Sequence, residues 1–371
     1  LLLAVLYVVD RNQTRHALRR NYPLLARFRY LFEHLGEFFR QYFFAMDREE
    51  MPFNRAERSW VYRAAKKVDS TIAFGSTRDL KPAGTILFAN CAFPKLQEEG
   101  LDTSAVTIGA FSREPYQATS VFHISAMSYG AISAPAVLAL SQGAKSAGIW
   151  MNTGEGGLSA EHLEGGADLI FQIGTAKYGV RDASGGLCPD RLSQIAAHEQ
   201  VKMFEIKLSQ GAKPGKGGVL PGSKVNAEIA RVRGIPLGED SLSPNRHPEV
   251  SSSEDLLDLL ETVRSVSGKP VGIKAVIGDH RWLQALCSTI NARGIASAPD
   301  FITVDGAEGG TGAAPASLID YMGLPLRESL PLVVDILKKH GLRERIRVIA
   351  SGKLINPARI AWALCVGADF A

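Results

Sequence analysis

Met203-Phe-Glu-Ile-Lys-Leu208 runs directly into Ser209-Gln-Gly-Ala-Lys-Pro-Gly-Lys-Gly-Gly-Val-Leu-Pro-Gly222. The first six residues have the length and apolar content of a buried strand. The next fourteen hold five glycines and two prolines, a density that no helix or strand tolerates. Glycine lets backbone amides approach a ligand closely, and Lys213 and Lys216 add positive charge. Composition leaves two readings open: an ordinary surface loop, or a grip for an anionic or planar group at a strand's C-terminal end.

Working outward, the chain from residue 120 alternates strand, loop and helix. Strands are expected at 120–125, 149–153, 168–173, 202–208, 270–276, 301–305 and 346–351. Helices are expected at 134–147, 189–199, 254–266, 281–293, 327–340 and 356–366, with a short crossover near Ser159–Gly166. An eighth strand begins in Gly367-Ala-Asp-Phe-Ala371, where the sequence stops, and is expected to be cut off by the chain end. This pattern predicts an α/β fold, a (β/α)8 TIM barrel. An open doubly wound sheet is the alternative. Gly-rich motifs after nearly every strand favour the barrel, whose active face lies at all the strand ends.

The motifs also occur in a known order. Gln210-Gly-Ala-Lys-Pro-Gly, Ser125-Ala-Met-Ser-Tyr-Gly130, Asn152-Thr-Gly-Glu-Gly-Gly157, Ser252-Ser-Glu-Asp-Leu256 and Gly309-Gly-Thr-Gly312 together resemble the FMN-binding barrel of glutamate synthase, from about residue 80 to the end. The resemblance implies FMN contacts at Ala126, Met127, Ser128, Gln172, Lys274, Gly309, Gly310, Gly352 and Lys353. It implies catalytic roles for Lys213 and Glu155, and substrate contacts for Gln210, Arg233, Ser252 and Glu254. The residue chemistry agrees in places. The Gln172 amide both donates and accepts, and Lys274 at the inner end of a strand is costly to bury without an anionic partner. Elsewhere a plainer reading stays open: Ser252 as a helix N-cap, Glu254 as a first-turn charge, Glu155 as a solvated turn residue. Five positions depart from the family pattern. Lys177 replaces an arginine, Lys216 a glutamate, Val219 a glutamine, and Ala307-Glu308 a histidine–aspartate pair.

The activity implied is FMN-dependent reduction of an imine, formed from 2-oxoglutarate and ammonia, to glutamate. Two alternatives are a different oxo or imino acid, and a membrane-tethered flavin electron-transfer module. Electron donor and ammonia source are further partners that the sequence does not identify. Family members carry an iron–sulfur motif that would fall beyond Ala371. Within the chain, Cys91, Cys188, Cys287 and Cys365 are too scattered for a metal site and read as reduced thiols. The formal charge of +4 is too small and too concentrated near the N-terminus for a nucleic-acid protein.

Residues 1–9 are wholly apolar, and Arg11, Arg15, Arg19 and Arg20 follow. Nine residues do not span a bilayer, which takes about 20. The expectation is that residues 1–10 end a transmembrane helix and that the arginines mark its cytoplasmic flank. Residues 11–79 are expected as an amphipathic helical segment, lying on a membrane or packed on the barrel, and 80–371 as the barrel itself. Membrane association with the barrel on the cytoplasmic side follows as an expectation.

Overall fold

The computed structural model describes residues 1–44, 46–69, 71–100, 104–211, 217–309 and 314–371. Lys213, Lys216 and Gly310 lie outside the described residues. Two compact units result, Leu1–Cys91 and Ala92–Ala371.

The first unit is helical: α1 (Leu2–Asn12), α2 (Ala17–Asn21), α3 (Leu25–Phe39) and α4 (Arg55–Ala65). Asn54 and Glu57 form a reciprocal capping box that starts α4. The first helix is 11 residues long and continues through Asp10, Arg11 and Asn12. Among the described residues no helix is long and apolar enough to cross a membrane.

The second unit opens with an antiparallel hairpin, β1 (Val106–Ile108) and β2 (Tyr116–Ala118). Then come α5 (Ala134–Ala147), β3 (Trp150–Asn152), α6 (Ala160–Glu164), β4 (Asp168–Ile173), α7 (Pro189–Ala196) and β5 (Val201–Lys207). An excursion follows with β6 (Val219–Leu220), α8 (Ala227–Arg233) and β7 (Ser241–Leu242). The regular alternation resumes with α9 (Ser253–Ser267), β8 (Val271–Val276), α10 (Arg281–Arg293), β9 (Phe301–Asp305), α11 (Ala316–Ile319), α12 (Leu326–Lys339), β10 (Arg347–Ser351) and α13 (Pro357–Val366). Six strands form one parallel sheet in the order β10-β9-β8-β5-β4-β3.

The sheet closes on itself through two short pieces that are not full strands. Ile124 bridges Met151, and Phe370 bridges Ile349. The seam between them is bonded as well: the His123 amide donates to Ala371 O at 2.8 Å, and the Ala371 amide to Val121 O at 2.9 Å. The expected strand 120–125 is therefore present only as isolated pairing. The eighth strand engages both neighbours within its first two residues. The fold is a TIM barrel.

Two cores follow from the period-2 alternation of the strands. Outward residues such as Leu169, Phe171, Phe204, Ile206, Ile302 and Val304 pack against the helices. The inward residues Trp150, Ile170, Met203, Phe301, Ile349 and Phe370 form a separate cluster with Ile108 and Ala118 of the hairpin, which plugs that end of the barrel. Gly272 belongs to this layer by parity. A Cβ there would lie 2.3 Å from the Phe301 ring, so only glycine leaves room for the phenyl group.

Candidate functional site

Two residues further along each strand, the inward positions turn polar. Asn152, Gln172, Glu205, Lys274, Thr303 and Ser351 all lie two places beyond the apolar layer and are buried. Glu205 is their hub. Its Oε1 accepts from Asn152 Nδ2 at 2.8 Å and Gln172 Nε2 at 2.7 Å, and its Oε2 accepts from the Thr303 hydroxyl. Because Glu205 accepts one amide hydrogen of Gln172, the amide nitrogen is turned toward it and the carbonyl oxygen is left for another partner. Asn152 turns its own oxygen to the Gly154 amide at 3.0 Å.

Lys274 Nζ lies 3.0 Å from Asp305 Oδ2. Burial works against the ammonium, but the charges of Asp305 and Glu205, the Asp305 hydrogen bond and the more distant Glu155 charge outweigh it. The lysine is held above its ordinary value and is charged at neutral pH. It meets the expectation that a lysine buried there has an anionic partner. Lys274 also lies where two depressions of the barrel adjoin. One is lined by Lys207, Ser209, Asp305, Ala307 and Gly309; the other by Ser125, Ala126, Asn152, Glu205, Thr303 and Ser351.

A second charged cluster forms at the strand ends. Gln210 Nε2 donates to both oxygens of Glu155, at 2.8 and 2.7 Å, and Lys207 Nζ lies 3.3 Å from Glu155 Oε1 and 3.1 Å from Gln210 Oε1. Burial alone pushes the Glu155 carboxyl up. The Lys207 charge, hydrogen bonds from Gln210 and Lys207, and the Lys274 charge reverse this and hold it below the ordinary carboxylate range. Glu155 is reached by a loop that Gly154 makes possible, with φ +67° and a notional Cβ only 2.5 Å from the Ser128 amide. That close approach seats the Met127–Ser128 peptide against the loop after β3.

The remaining expected residues fall elsewhere. Gly352 (φ +139°) and the half-buried Lys353 (φ +49°) form the turn after β10, and Gly352 lies close to the Gly306 backbone. Arg233 is buried at the end of α8. It donates to Ser241 Oγ at 2.9 Å and Tyr129 O at 3.0 Å, and its guanidinium lies 5.0 Å from the Tyr178 ring centroid. Burial lowers its pKa. Ser252 caps α9, accepting from the Asp255 amide at 3.1 Å, and the exposed Glu254 pairs with Arg293 at 3.4 Å. Thus Glu155, Gln210, Gln172 and Lys274 gather at the C-terminal ends of the strands, while Ser252 and Glu254 bond within the protein and Arg233 does so through Nη1 and Nη2, its buried Nε having no partner among the described residues. Lys177 is buried and pairs with Glu249 at 3.0 Å. Glu308 accepts from the Leu326 amide at the start of α12, at 3.0 and 3.2 Å, so the acid there serves the helix.

Sequence reasoning gave no site role to Glu205, Thr303 or Asp305. The signal was available: in Met203-Phe-Glu-Ile-Lys, both charges share the parity of an inward-facing methionine.

A family model described as the conserved region in glutamate synthase matches residues 93–371. The chain is 40% identical, over its whole length and 77% of the relative, to the glutamate synthase large subunit-like protein YerD of Bacillus subtilis (strain 168). It is 37% identical to the archaeal-type glutamate synthase (NADPH) of Thermotoga sp. (strain RQ2), over 66% of the chain and 45% of that protein. A similar match, 37% over 66% of the chain, is to the archaeal glutamate synthase (NADPH) of Methanocaldococcus jannaschii. The chain spans less than half the length of these last two relatives.

Proposed function

The chain belongs to the glutamate synthase family, and we propose that its barrel is an FMN-dependent oxidoreductase site that reduces an imine of 2-oxoglutarate and ammonia to glutamate. The observation that carries this reading is the buried, charged Lys274 between two adjoining depressions of the polar layer. Lys274, the Gln172 carbonyl oxygen, the backbone at Ala126–Ser128, and Gly309 and Gly352 are the groups that would hold FMN. They suit it chemically: a fixed cation, an amide acceptor and close backbone approach match a planar ring with donors and acceptors along its edge. FMN, when bound, supplies the hydride-transfer chemistry.

The protein's own groups position the imine and manage its proton. Ionised Glu155 orients Gln210 and Lys207. The Lys207 ammonium is placed to grip a substrate carboxylate or donate a proton to an imine nitrogen, beside the role expected of Lys213. A different oxo or imino acid is the second reading. It is favoured by Ala307, which lines the depression beside Lys274 where the family pattern has histidine. The NADPH in the relatives' names makes a nicotinamide the first electron donor to try.

The test is flavin reoxidation. The protein's FMN is reduced without oxygen, then 2-oxoglutarate is added with and without ammonium. Return of the oxidised flavin spectrum only with both supports imine reduction. No return with either, with FMN demonstrably bound, removes this substrate, and a panel of other oxo acids then decides for or against the second reading.

A further inference from the structure

The first unit is built inside out. Asp10 on α1 is only 1% exposed, covered by Arg27 of α3. Its two oxygens accept from Arg27 Nε and Nη2, both at 2.8 Å, and one also accepts from the Leu24 amide at 3.1 Å. Around this ion pair the apolar side chains face outward. Val5, Val8 and Val9 of α1, and Phe28, Leu31 and Phe32 of α3, are each at least half exposed. In water the expected order is the reverse, with apolar side chains inside and charges out. An acid covered by an arginine that itself stays 35% exposed, beside outward apolar faces, is an arrangement that suits a lipid–water boundary.

Charge and length narrow the occupant. Residues 1–44 carry seven arginines against three acids, Asp10, Glu33 and Glu37. Residues 1–91 hold 15 of the 42 lysines and arginines but 9 of the 38 acids, a net of +6, while the rest of the chain is net −2. At about 1.5 Å per residue, α3 extends about 22 Å, short of the roughly 30 Å of a bilayer's hydrocarbon core. We propose that α1–α3 embed in an anionic bilayer, their outward apolar faces among the acyl chains, their arginines at the headgroups and the Asp10–Arg27 pair at the boundary between the two. The proposal is independent of the chemistry assigned to the barrel.

Vesicle flotation of the full chain tests it. The chain is expected to float with vesicles of phosphatidylcholine containing about one-third phosphatidylglycerol, and about tenfold less with phosphatidylcholine alone. The triple variant Phe28→Ser, Leu31→Ser, Phe32→Ser is expected to stay at the bottom of the gradient. Arg15→Glu with Arg20→Glu is expected to lose the preference for anionic lipid. All five positions are largely exposed or at the surface, so both variants should keep the parent's unfolding midpoint. A parent chain that does not float with anionic vesicles overturns the proposal. So does a triple-serine variant that floats as well as the parent. If the lipid-free chain is a dimer that the serine substitutions split while flotation is absent throughout, the occupant is a second copy instead.

Discussion

The two layers of the barrel interior use the same strands and opposite chemistry. In the lower layer Trp150 packs edge-on against Phe370 (centroids 5.1 Å apart, 68° between planes) and Tyr116, over Ile170, Met203, Phe301 and Ile349. One inward step higher, every one of those five barrel strands carries a polar group: Asn152, Gln172, Glu205, Thr303 and Ser351. The sixth, β8, steps from Gly272 to Lys274. The lower layer holds the ring together by burying surface and by being closed with the β1–β2 hairpin. The upper layer takes on the cost of desolvating Lys274, Asp305 and Glu205, and it is tolerable only because each charge has a partner. A fold that needs stability alone has no use for that second layer. Its position on the C-terminal side is where barrel enzymes place their chemistry.

The contrast can be broken most severely at Lys274. Lys274→Met leaves Asp305 and Glu205 as unbalanced buried carboxylates and is expected to cost about 4 kcal/mol in chemical denaturation. A loss below about 1 kcal/mol would mean that the upper layer is wetter and less coupled than described. In the lower layer, Gly272→Ala pushes a methyl group into the Phe301 ring and should cost about 2–3 kcal/mol by overpacking. An undisturbed melting curve would show that the layer is not closely filled.

Glu155 sharpens the comparison by pH. Its folded-state pKa is depressed, so the stability it contributes is complete above the ordinary carboxylate range and is lost as pH falls through the lowered value. Glu155→Gln should cost about 2 kcal/mol at neutral pH. The difference from the parent should shrink toward zero in acid; a difference that stays constant with pH would remove the charged contribution. The smallest effect is expected outside both layers. Ser252→Ala should lose about 1 kcal/mol of helix capping and leave the KM for the oxo acid unchanged. A several-fold rise in KM with unchanged stability would restore the substrate contact that the resemblance implies.

The barrel was legible because its signals are local. Helices 134–147 and 281–293 match α5 and α10 residue for residue, since Gly148 and Gly294 end them and apolar faces fill them. The excursion between β5 and α9 was not legible. Its β6–β7 pair spans two residues a side, and α8 has seven, too few for a periodic pattern to emerge among glycines and prolines. The β1–β2 hairpin was hidden for the same reason. Motifs singled out Glu155, Gln210, Gln172 and Lys274, yet not Glu205, which accepts from Asn152, Gln172 and Thr303. A charge inside a short apolar strand reveals its direction only once the parity of that strand and its neighbours is known. The internal partners of Arg233 were equally unreadable: burial beside Tyr129, Tyr178 and Ser241 depends on the short α8 and β7 of the excursion.

The claim on which the rest depends is that the polar layer receives FMN. The direct measurement is flavin uptake by the full chain: the apoprotein is mixed with FMN, passed through gel filtration, and the protein-bound flavin is quantified beside its visible spectrum. The account predicts one FMN retained per chain, with a spectrum shifted from that of free flavin. A folded barrel that emerges colourless under saturating FMN would contradict it.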